Sequence, residues 1–302
     1  MTIGQTASTA SLPAPSADQP YMRISAMQAG LIHLPVDLIV AGESRTIRAC
    51  PSLTFYLKHS TTDQHFIFDL GLRQDLGSYP PELQDKVLNL MRFVREGGLD
   101  PAAIQRVVIS HLHFDHSVHS LSIGDSSPFS KATFILGGEG KAALDDGYPG
   151  NPKSKTLSSS TPADRTVFLS SADFNTSIGP FPHAVDFFGD GSVYIIDTPG
   201  HCAGHITILA RTSPDGAWMY LGGDVAHDTP LITDPTTEIA TVSANGQPYF
   251  MHRDIERAGT DIARVRALLE LPRVEFIVAH DWKWSEDNLG NEFLPQRIAP
   301  KA

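Results

Sequence analysis

Cysteine is scarce in this sequence, because only Cys50 and Cys202 occur among 302 residues. Two thiols are too few for a disulfide framework or for a metal site built from four thiolates. Long apolar runs are also missing, since no segment approaches the roughly 18 uninterrupted apolar residues of a transmembrane helix. The first 20 residues lack the basic and apolar regions of a secretory signal. We therefore expect a cytoplasmic protein with reduced thiols.

Basic residues are in the minority. The chain has 23 lysines and arginines against 34 aspartates and glutamates, which gives a formal net charge of −11. A negative surface repels phosphate backbones and anionic lipids, so nucleic acid and membrane are poor partners. We expect a small-molecule substrate and leave a homodimer open. With 41% hydrophobic residues, the composition is that of an ordinary folded protein with a packed core.

The pattern along the chain predicts a flexible N-terminal extension at residues 1–20, rich in Ser, Thr, Ala and Pro, followed by a single domain at residues 21–302. Strand-like and helix-like segments alternate in both halves of that domain, which favours an α/β fold with helices covering the sheets. Helices are predicted at about 81–97 and 254–271, and an exposed loop at 147–166. The predicted strands lie at residues 22–27, 38–42, 53–59, 65–71, 106–110, 132–136, 192–196, 205–212, 218–224 and 274–280.

Histidine is the residue whose number needs an explanation, since the chain contains thirteen. Three of them and an aspartate lie within the six residues 111–116, HLHFDH, directly after an apolar strand. In extended chain, His111 and His113 project to the same side and can converge on one metal, while Asp115 and His116 sit beyond a turn. One loop can thus supply ligands to two metal ions. A solvated polar loop is the alternative interpretation, and the density of ligand-type residues disfavours it.

Three more candidate ligands follow other predicted strands: His201 in DTPGHCAGH, Asp224 in LGGD and His280 in IVAH. Strand ends are where α/β folds collect functional groups. Together with the 111–116 loop they provide five histidines and two aspartates. This nitrogen and oxygen set suits zinc, and it is also open to iron, manganese or cobalt.

At these residues the sequence resembles the metallo-β-lactamase superfamily, whose motif is His-x-His-x-Asp-His followed by a later His, Asp and His. The resemblance extends from Met22 to about Trp284 and implies a four-layer αββα sandwich with two divalent metal ions, zinc first, at one edge of the sheets. It implies a supporting role for Asp69 and for His205. The implied ligands are His111, His113 and His201 for one ion, Asp115, His116 and His280 for the other, and Asp224 as the bridge between them.

Within this superfamily, Phe114 in HLHFDH and the TPGHxxGH pattern are similar to the N-acyl homoserine lactonases. The sequence departs from them at His227, because such lactonases commonly have a tyrosine three residues after the bridging aspartate. The resemblance therefore implies a hydrolase that opens a lactone, or a γ-lactam or cyclic carbamate, by attack of a metal-bridging hydroxide. Asp115 and His227 are the candidates for protonating the leaving group. A glyoxalase II-like thioester hydrolase and a non-catalytic metal-binding protein are the alternatives.

Aromatic residues near the predicted centre are candidates for an apolar substrate pocket. They lie in the metal loop, in the segment between Asp224 and His280, and just after His280. Ordinary core or dimer-contact residues are the alternative interpretation for each of them. The candidates are Phe114, Tyr249, Phe250, Trp282 and Trp284.

Overall fold

The computed structural model describes residues 11–72, 87–88, 100–117, 129–154 and 156–302. Within them, thirteen strands and four α-helices follow one another along the chain. The strands are β1 Met22–Pro35, β2 Ile47–His59, β3 His65–Phe68, β4 Val87–Leu88, β5 Arg106–Val108, β6 Thr133–Gly137, β7 Thr166–Leu169, β8 Thr176–Ile178, β9 Phe181–Asp186, β10 Val193–Asp197, β11 Ile206–Arg211, β12 Trp218–Leu221 and β13 Val274–Ile277. The helices are α1 Lys141–Asp145, α2 Pro230–Thr233, α3 Ile255–Leu269 and α4 Trp282–Asn288.

The strands form two mixed sheets. The first has the order β4-β1-β2-β3-β5-β6-β7, and the second has the order β13-β12-β11-β10-β9-β8. The pairs β3–β5, β5–β6, β6–β7 and β12–β13 are parallel, whereas the other pairs are antiparallel. Parallel neighbours bring the loops after β3 and β5, and those after β12 and β13, to shared sheet edges.

Three of the apolar clusters among the described residues lie on the faces of the two sheets. Alternate residues of the two sheets, such as Phe55 and Ile208, form the core between them. The other face of the second sheet packs against α3 through Ile262 and Val265. On the other face of the first sheet, a third cluster includes Val107. The molecule is thus a two-sheet sandwich with helices on the outside, which confirms the predicted metallo-β-lactamase fold class.

Most predicted strands match observed ones, and the predicted helix at 254–271 matches α3. The prediction at 38–42 was wrong: residues 36–38 form a 3-10 turn, and Val40 makes only an isolated bridge to Ile239. The predicted helix at 81–97 lies mostly outside the described residues, and the two that are described, Val87–Leu88, form a strand against β1. The predicted exposed loop at 147–166 is irregular, but Leu157 within it is buried. Long-range pairing and packing, which a local pattern does not contain, decide these segments.

The predicted N-terminal extension is described from residue 11 onward, and residues 11–20 lie against the body of the protein. Arg211 donates a hydrogen bond to the carbonyl of Pro13 at 2.6 Å, and the Gln19 amide donates to the carbonyl of Asp190 at 3.0 Å. Among the described residues, no helix has the length and apolarity to cross a membrane.

Candidate metal centre

The loop after β5 carries the first four candidate ligands, and Asp69 at the end of the neighbouring strand β3 fixes its shape. The Asp69 carboxylate accepts hydrogen bonds from the backbone N–H of Ser110 at 2.6 Å and from its hydroxyl at 2.8 Å. It also lies 2.8 Å from Nδ1 of His116, and the backbone N–H of Leu70 donates to the carbonyl of His116. Asp69 therefore ties both ends of the loop together, as the resemblance implied for it.

The remaining candidate ligands come from loops after three strands of the second sheet. His201 follows β10, Asp224 follows β12 and His280 follows β13. His280 Nδ1 donates to the carbonyl of Pro51 at 2.8 Å, which turns its Nε2 toward the centre. The two sheets thus contribute to one site at their common edge.

Asp224 stands between two groups of candidate ligands. Its Oδ2 lies 3.7 Å from Nε2 of His111 and 3.6 Å from Nε2 of His201. Its Oδ1 lies 3.2 Å from Nε2 of His116 and 3.3 Å from Nε2 of His280. Asp115 Oδ2 lies 3.4 Å from Nε2 of His280, and His113 Nδ1 lies 3.0 Å from Nε2 of His201. The structure therefore brings all seven predicted ligands together, in two sets that share Asp224.

The donor atoms fit divalent metal ions. Nε2 of His111, Nε2 of His116 and Oδ1 of Asp224 are buried without a hydrogen-bond partner, although they face one another. Buried polar atoms are normally paired, so atoms left unpaired and convergent are typical of a site that holds a cation. One grouping consists of His111, His113 and His201 with Cys202 beside them, and another consists of Asp115, His116 and His280. In each grouping the ligand atoms lie within 4.8 Å of one another. Imidazole and carboxylate are the ligands that zinc and related ions accept.

Burial and mutual charge set the protonation of these groups. Burial lowers the pKa of His111 and of His201 well below the ordinary value, and it lowers the pKa of His113 to about 4. Burial alone would raise the pKa of Asp224, but nearby imidazoles, His116 foremost, outweigh it and hold that pKa well below the usual range. His111, His113 and His201 therefore favour the neutral form that binds metal. Burial alone would lower the pKa of His116 and of His280, but the Asp224 carboxylate outweighs it and raises both, so an ion bound by these two imidazoles would displace their protons.

His205 supports the bridge between the two sets. Its Nδ1 donates to the carbonyl of Thr198 at 2.9 Å, so its Nε2 is left to accept the backbone N–H of Asp224 at 3.1 Å. The adjacent Gly223 has a φ of +49°, and a Cβ there would lie 2.9 Å from Nε2 of His205. A glycine is thus required at this turn because both the backbone angle and the space exclude a side chain.

Two further histidines border the set around His201. His227, the predicted substrate contact, places its Nε2 3.1 Å from Oδ2 of Asp224. His252 lies with its ring centre 5.2 Å from that of His201 and 5.0 Å from that of His227. Sequence analysis missed His252 as a site residue, because it lies in an irregular loop and neither a strand nor a motif marks its position.

The predicted pocket aromatics lie in different surroundings. Phe114 and Trp282 share an apolar cluster with Leu34 and Tyr148, and the Arg48 guanidinium lies 4.8 Å from the Trp282 ring centre. Tyr249 and Phe250 are exposed, at 36% and 59% of their surface. Trp284 packs instead against the core between the sheets, with its ring centre 5.6 Å from that of Phe293.

No family profile matches the chain. It is 33% identical over 177 residues to Gamma-lactamase MBL2 of Gibberella moniliformis, which covers 53% of this chain and 70% of that protein. It is 34% identical over 198 residues to Metallo-hydrolase mfmC of Annulohypoxylon moriforme, which covers 60% of this chain. The chain spans half the length of this second relative.

A solved N-acyl homoserine lactone hydrolase, with the product N-hexanoyl-L-homoserine at its catalytic metal center, has a similar fold. The TM-score is 0.65 at 16% identity, over 91% of this chain and 98% of that one. The chain belongs to the metallo-β-lactamase superfamily, as its histidine motif predicted. Its relatives include γ-lactamases and a metallo-hydrolase, and its fold is that of the quorum-quenching lactonases.

Proposed function

We propose that this protein is a dinuclear metal-dependent hydrolase that opens a cyclic ester or a cyclic amide. The observation that carries the proposal is the position of Asp224, whose two oxygens face two different sets of ligands. A carboxylate placed in this way can bridge two ions. The names of the relatives, γ-lactamase and lactone hydrolase, support ring opening over thioester hydrolysis.

In this proposal His111, His113 and His201 would hold one ion, Asp115, His116 and His280 would hold the other, and Asp224 would contribute to both. When bound, two such ions polarise the scissile carbonyl and lower the pKa of a shared water molecule. Zinc is the metal that we propose first, because the set combines imidazoles with carboxylates and contains no thiolate.

Side chains of this protein bind the substrate's lactone or lactam ring and orient it beside that centre. His227 occupies the position where the resembling lactonases have a tyrosine, and its Nε2 reaches the metal-facing oxygen of Asp224. We assign to His227 the contact with the polar edge of the substrate ring. Transfer of a proton to the leaving group falls to His227 or Asp115, because an amide nitrogen leaves poorly unless it is protonated.

Phe114 and Trp282 are the aromatic residues that we propose for the apolar side of the substrate, because they share one cluster beside the metal loop. Tyr249 and Phe250 are exposed on the segment before α3 and stay candidates for an outer rim. The cytoplasmic location, a homodimer and the division at residue 20 also stay predictions.

Elemental analysis of the purified protein, combined with a small substrate panel, tests the proposed function. The panel contains an acyl homoserine lactone, a benzoxazolinone-type cyclic carbamate and a glutathione thioester. We expect two metal equivalents per chain and turnover of a ring substrate. Turnover of the thioester alone would contradict ring opening.

The variant Asp224→Ala removes the shared carboxylate and should abolish both the full metal content and the hydrolysis. Asp164→Ala is the matched control, because this aspartate is exposed and pairs only loosely with Arg165, at 4.0 Å. An Asp224→Ala protein with unchanged metal content and activity would exclude the assigned site.

A further inference from the structure

A third group of imidazoles lies beside the two proposed ligand sets. It consists of His201, His227 and His252, which are exposed by 3%, 4% and 1% respectively. One nitrogen of each ring lies within 4.8 Å of one nitrogen of each of the others. His252 belongs to neither ligand set implied by the superfamily motif, so this convergence is a property of this chain's own fold.

The three rings have nitrogens that nothing in the described protein satisfies. Nδ1 of His201, of His227 and of His252 are each buried and without a hydrogen-bond partner. Leaving a buried polar atom unpaired is costly, and each of the three neighbouring rings has one such atom. Three neutral imidazoles are also a known complete set of protein ligands for zinc, with the fourth position open.

We propose that His201, His227 and His252 form an alternative position for the first metal ion, so that the ion can be held either with His111 and His113 or with His227 and His252. This inference rests on the dinuclear centre of the proposed function. His201 is common to both positions and acts as the pivot between them.

The two positions exclude each other because both need the His201 ring and both depend on the negative charge of Asp224. Nε2 of His201, which lies 3.0 Å from Nδ1 of His113 and 3.6 Å from Oδ2 of Asp224, can bind only one ion at a time. The nearest described carboxylate of the third group is Asp224, whose Oδ2 lies 3.1 Å from Nε2 of His227 and 3.6 Å from Nε2 of His201. A further dication with no carboxylate of its own would be repelled by the ions on either side of Asp224. The chain is therefore expected to bind two ions in total.

The alternative position is also the more enclosed one. His113 is half-buried, whereas His252 is almost completely buried, and the backbone N–H of its neighbour Arg253 donates to the carbonyl of His201 at 2.8 Å. An ion that dissociates from His113 would therefore remain bound by buried imidazoles, because the segment that carries His252 is hydrogen-bonded to His201.

A double-mutant cycle on metal affinity tests the proposal without any measurement of activity. Zinc dissociation constants are measured by competition with a chromophoric chelator for the intact chain, His113→Ala, His252→Phe and the double variant. We expect His252→Phe alone to change the weaker constant by less than about threefold, because the first position is intact. In the His113→Ala background, His252→Phe should weaken the binding of the more weakly held zinc ion by about tenfold or more.

The matched control is His113→Ala combined with His183→Phe, because His183 is an exposed histidine on β9. This pair should behave as His113→Ala alone. Cobalt spectra of His113→Ala, with and without His252→Phe, should differ, since the third group supplies the ligands in one and not in the other. Circular dichroism checks the fold, and His111→Ala replaces His113→Ala if the latter does not fold.

Equal effects of His252→Phe in both backgrounds, or no effect in either, would overturn the alternative position. An intact chain that binds fewer than two ions would instead contradict the dinuclear centre. In that case the cobalt spectra of the intact chain and of His252→Phe show whether His252 binds metal, because identical spectra exclude His252 from every metal position.

Discussion

Nδ1 of His116 lies 2.8 Å from Oδ2 of Asp69, and both side chains are completely buried. The pair joins the end of β3 to the loop that carries four of the seven candidate ligands. A carboxylate in this place fixes the ring so that Nε2, the nitrogen that faces Asp224 and Asp115, is free to bind metal. The contact therefore links the first sheet directly to the second set of ligands.

Asp69→Asn should weaken binding of one of the two ions by about tenfold to a hundredfold, because an amide is a poorer acceptor for the His116 ring. The measurement is metal affinity by chelator competition. Asp63→Asn is the matched control, since Asp63 forms an exposed pair with His65 at 3.0 Å. Equal affinities for Asp69→Asn and the intact chain would exclude this supporting role.

Gly223→Ala should disturb the bridge between the ligand sets. A Cβ at this position meets Nε2 of His205 at 2.9 Å and Cβ of Ser110 at 3.0 Å. Gly246→Ala separates backbone strain from steric contact. Gly246 also has a positive φ, +72°, but nothing lies within 4 Å of a Cβ added there. We expect the control to lose about 1 kcal/mol of unfolding free energy from backbone strain, and Gly223→Ala to lose more.

Urea unfolding and metal titration of both glycine variants check this prediction. Gly223→Ala should also bind metal more weakly, whereas Gly246→Ala should bind normally. Equal losses in the two variants, with normal metal binding, would show that the contact with His205 does not position Asp224.

The convergence of the candidate ligands was predictable from the sequence because each lies in a loop that follows a short apolar strand, and strand ends gather at a sheet edge. His111, Asp224 and His280 could be recognised in this way from local patterns alone. His252 could not, because its place beside His201 depends on how the segment before α3 folds back onto the centre. The same limit applies to Trp284, whose aromatic ring is equally suited to a pocket and to the core that it joins.

The fold was predictable to a similar depth. A strand-like apolar run indicated β2, whose central residues are buried on both faces of the sheet. A helix was predicted at α3, which buries one face. The segment at 38–42 has the composition of a strand, yet Val40 makes only a single bridge to Ile239 there. Pairing between distant segments is set by the whole chain and not by composition.

Asp261 should make stability depend on pH. Burial raises its pKa to about 6, although the carboxylate accepts a hydrogen bond from the Gly200 N–H at 3.1 Å and lies near Arg264. The folded protein therefore binds a proton here that the unfolded chain has already released. Stability should fall as pH rises from about 4 to about 6, by about 3 kcal/mol at about 1.4 kcal/mol per pKa unit, and the loss persists above that range.

Asp261→Asn removes this dependence, because an amide still accepts from Gly200 and carries no charge. The difference in unfolding free energy between the variant and the intact chain should grow in favour of the variant between pH 4.5 and pH 7. Urea unfolding at both pH values measures it, and subtraction cancels any metal loss that is common to the two proteins. Parallel pH profiles would contradict the assignment.

His227→Tyr tests which ring the site prefers. A tyrosine hydroxyl three residues after Asp224 would restore the group that the resembling lactonases have at this position, so the ratio of lactone to lactam turnover should rise. His227→Phe is the control, because it keeps an aromatic ring without a polar atom, and it should lose activity on both rings without reversing their ratio.

Metal content is measured alongside, since Nε2 of His227 lies 3.1 Å from Asp224 and its loss can alter the centre. An unchanged ratio of lactone to lactam turnover in His227→Tyr, with two ions bound, would show that residue 227 does not select the ring. Selection would then have to come from the apolar side of the pocket, where Phe114 and Trp282 pack against the same cluster.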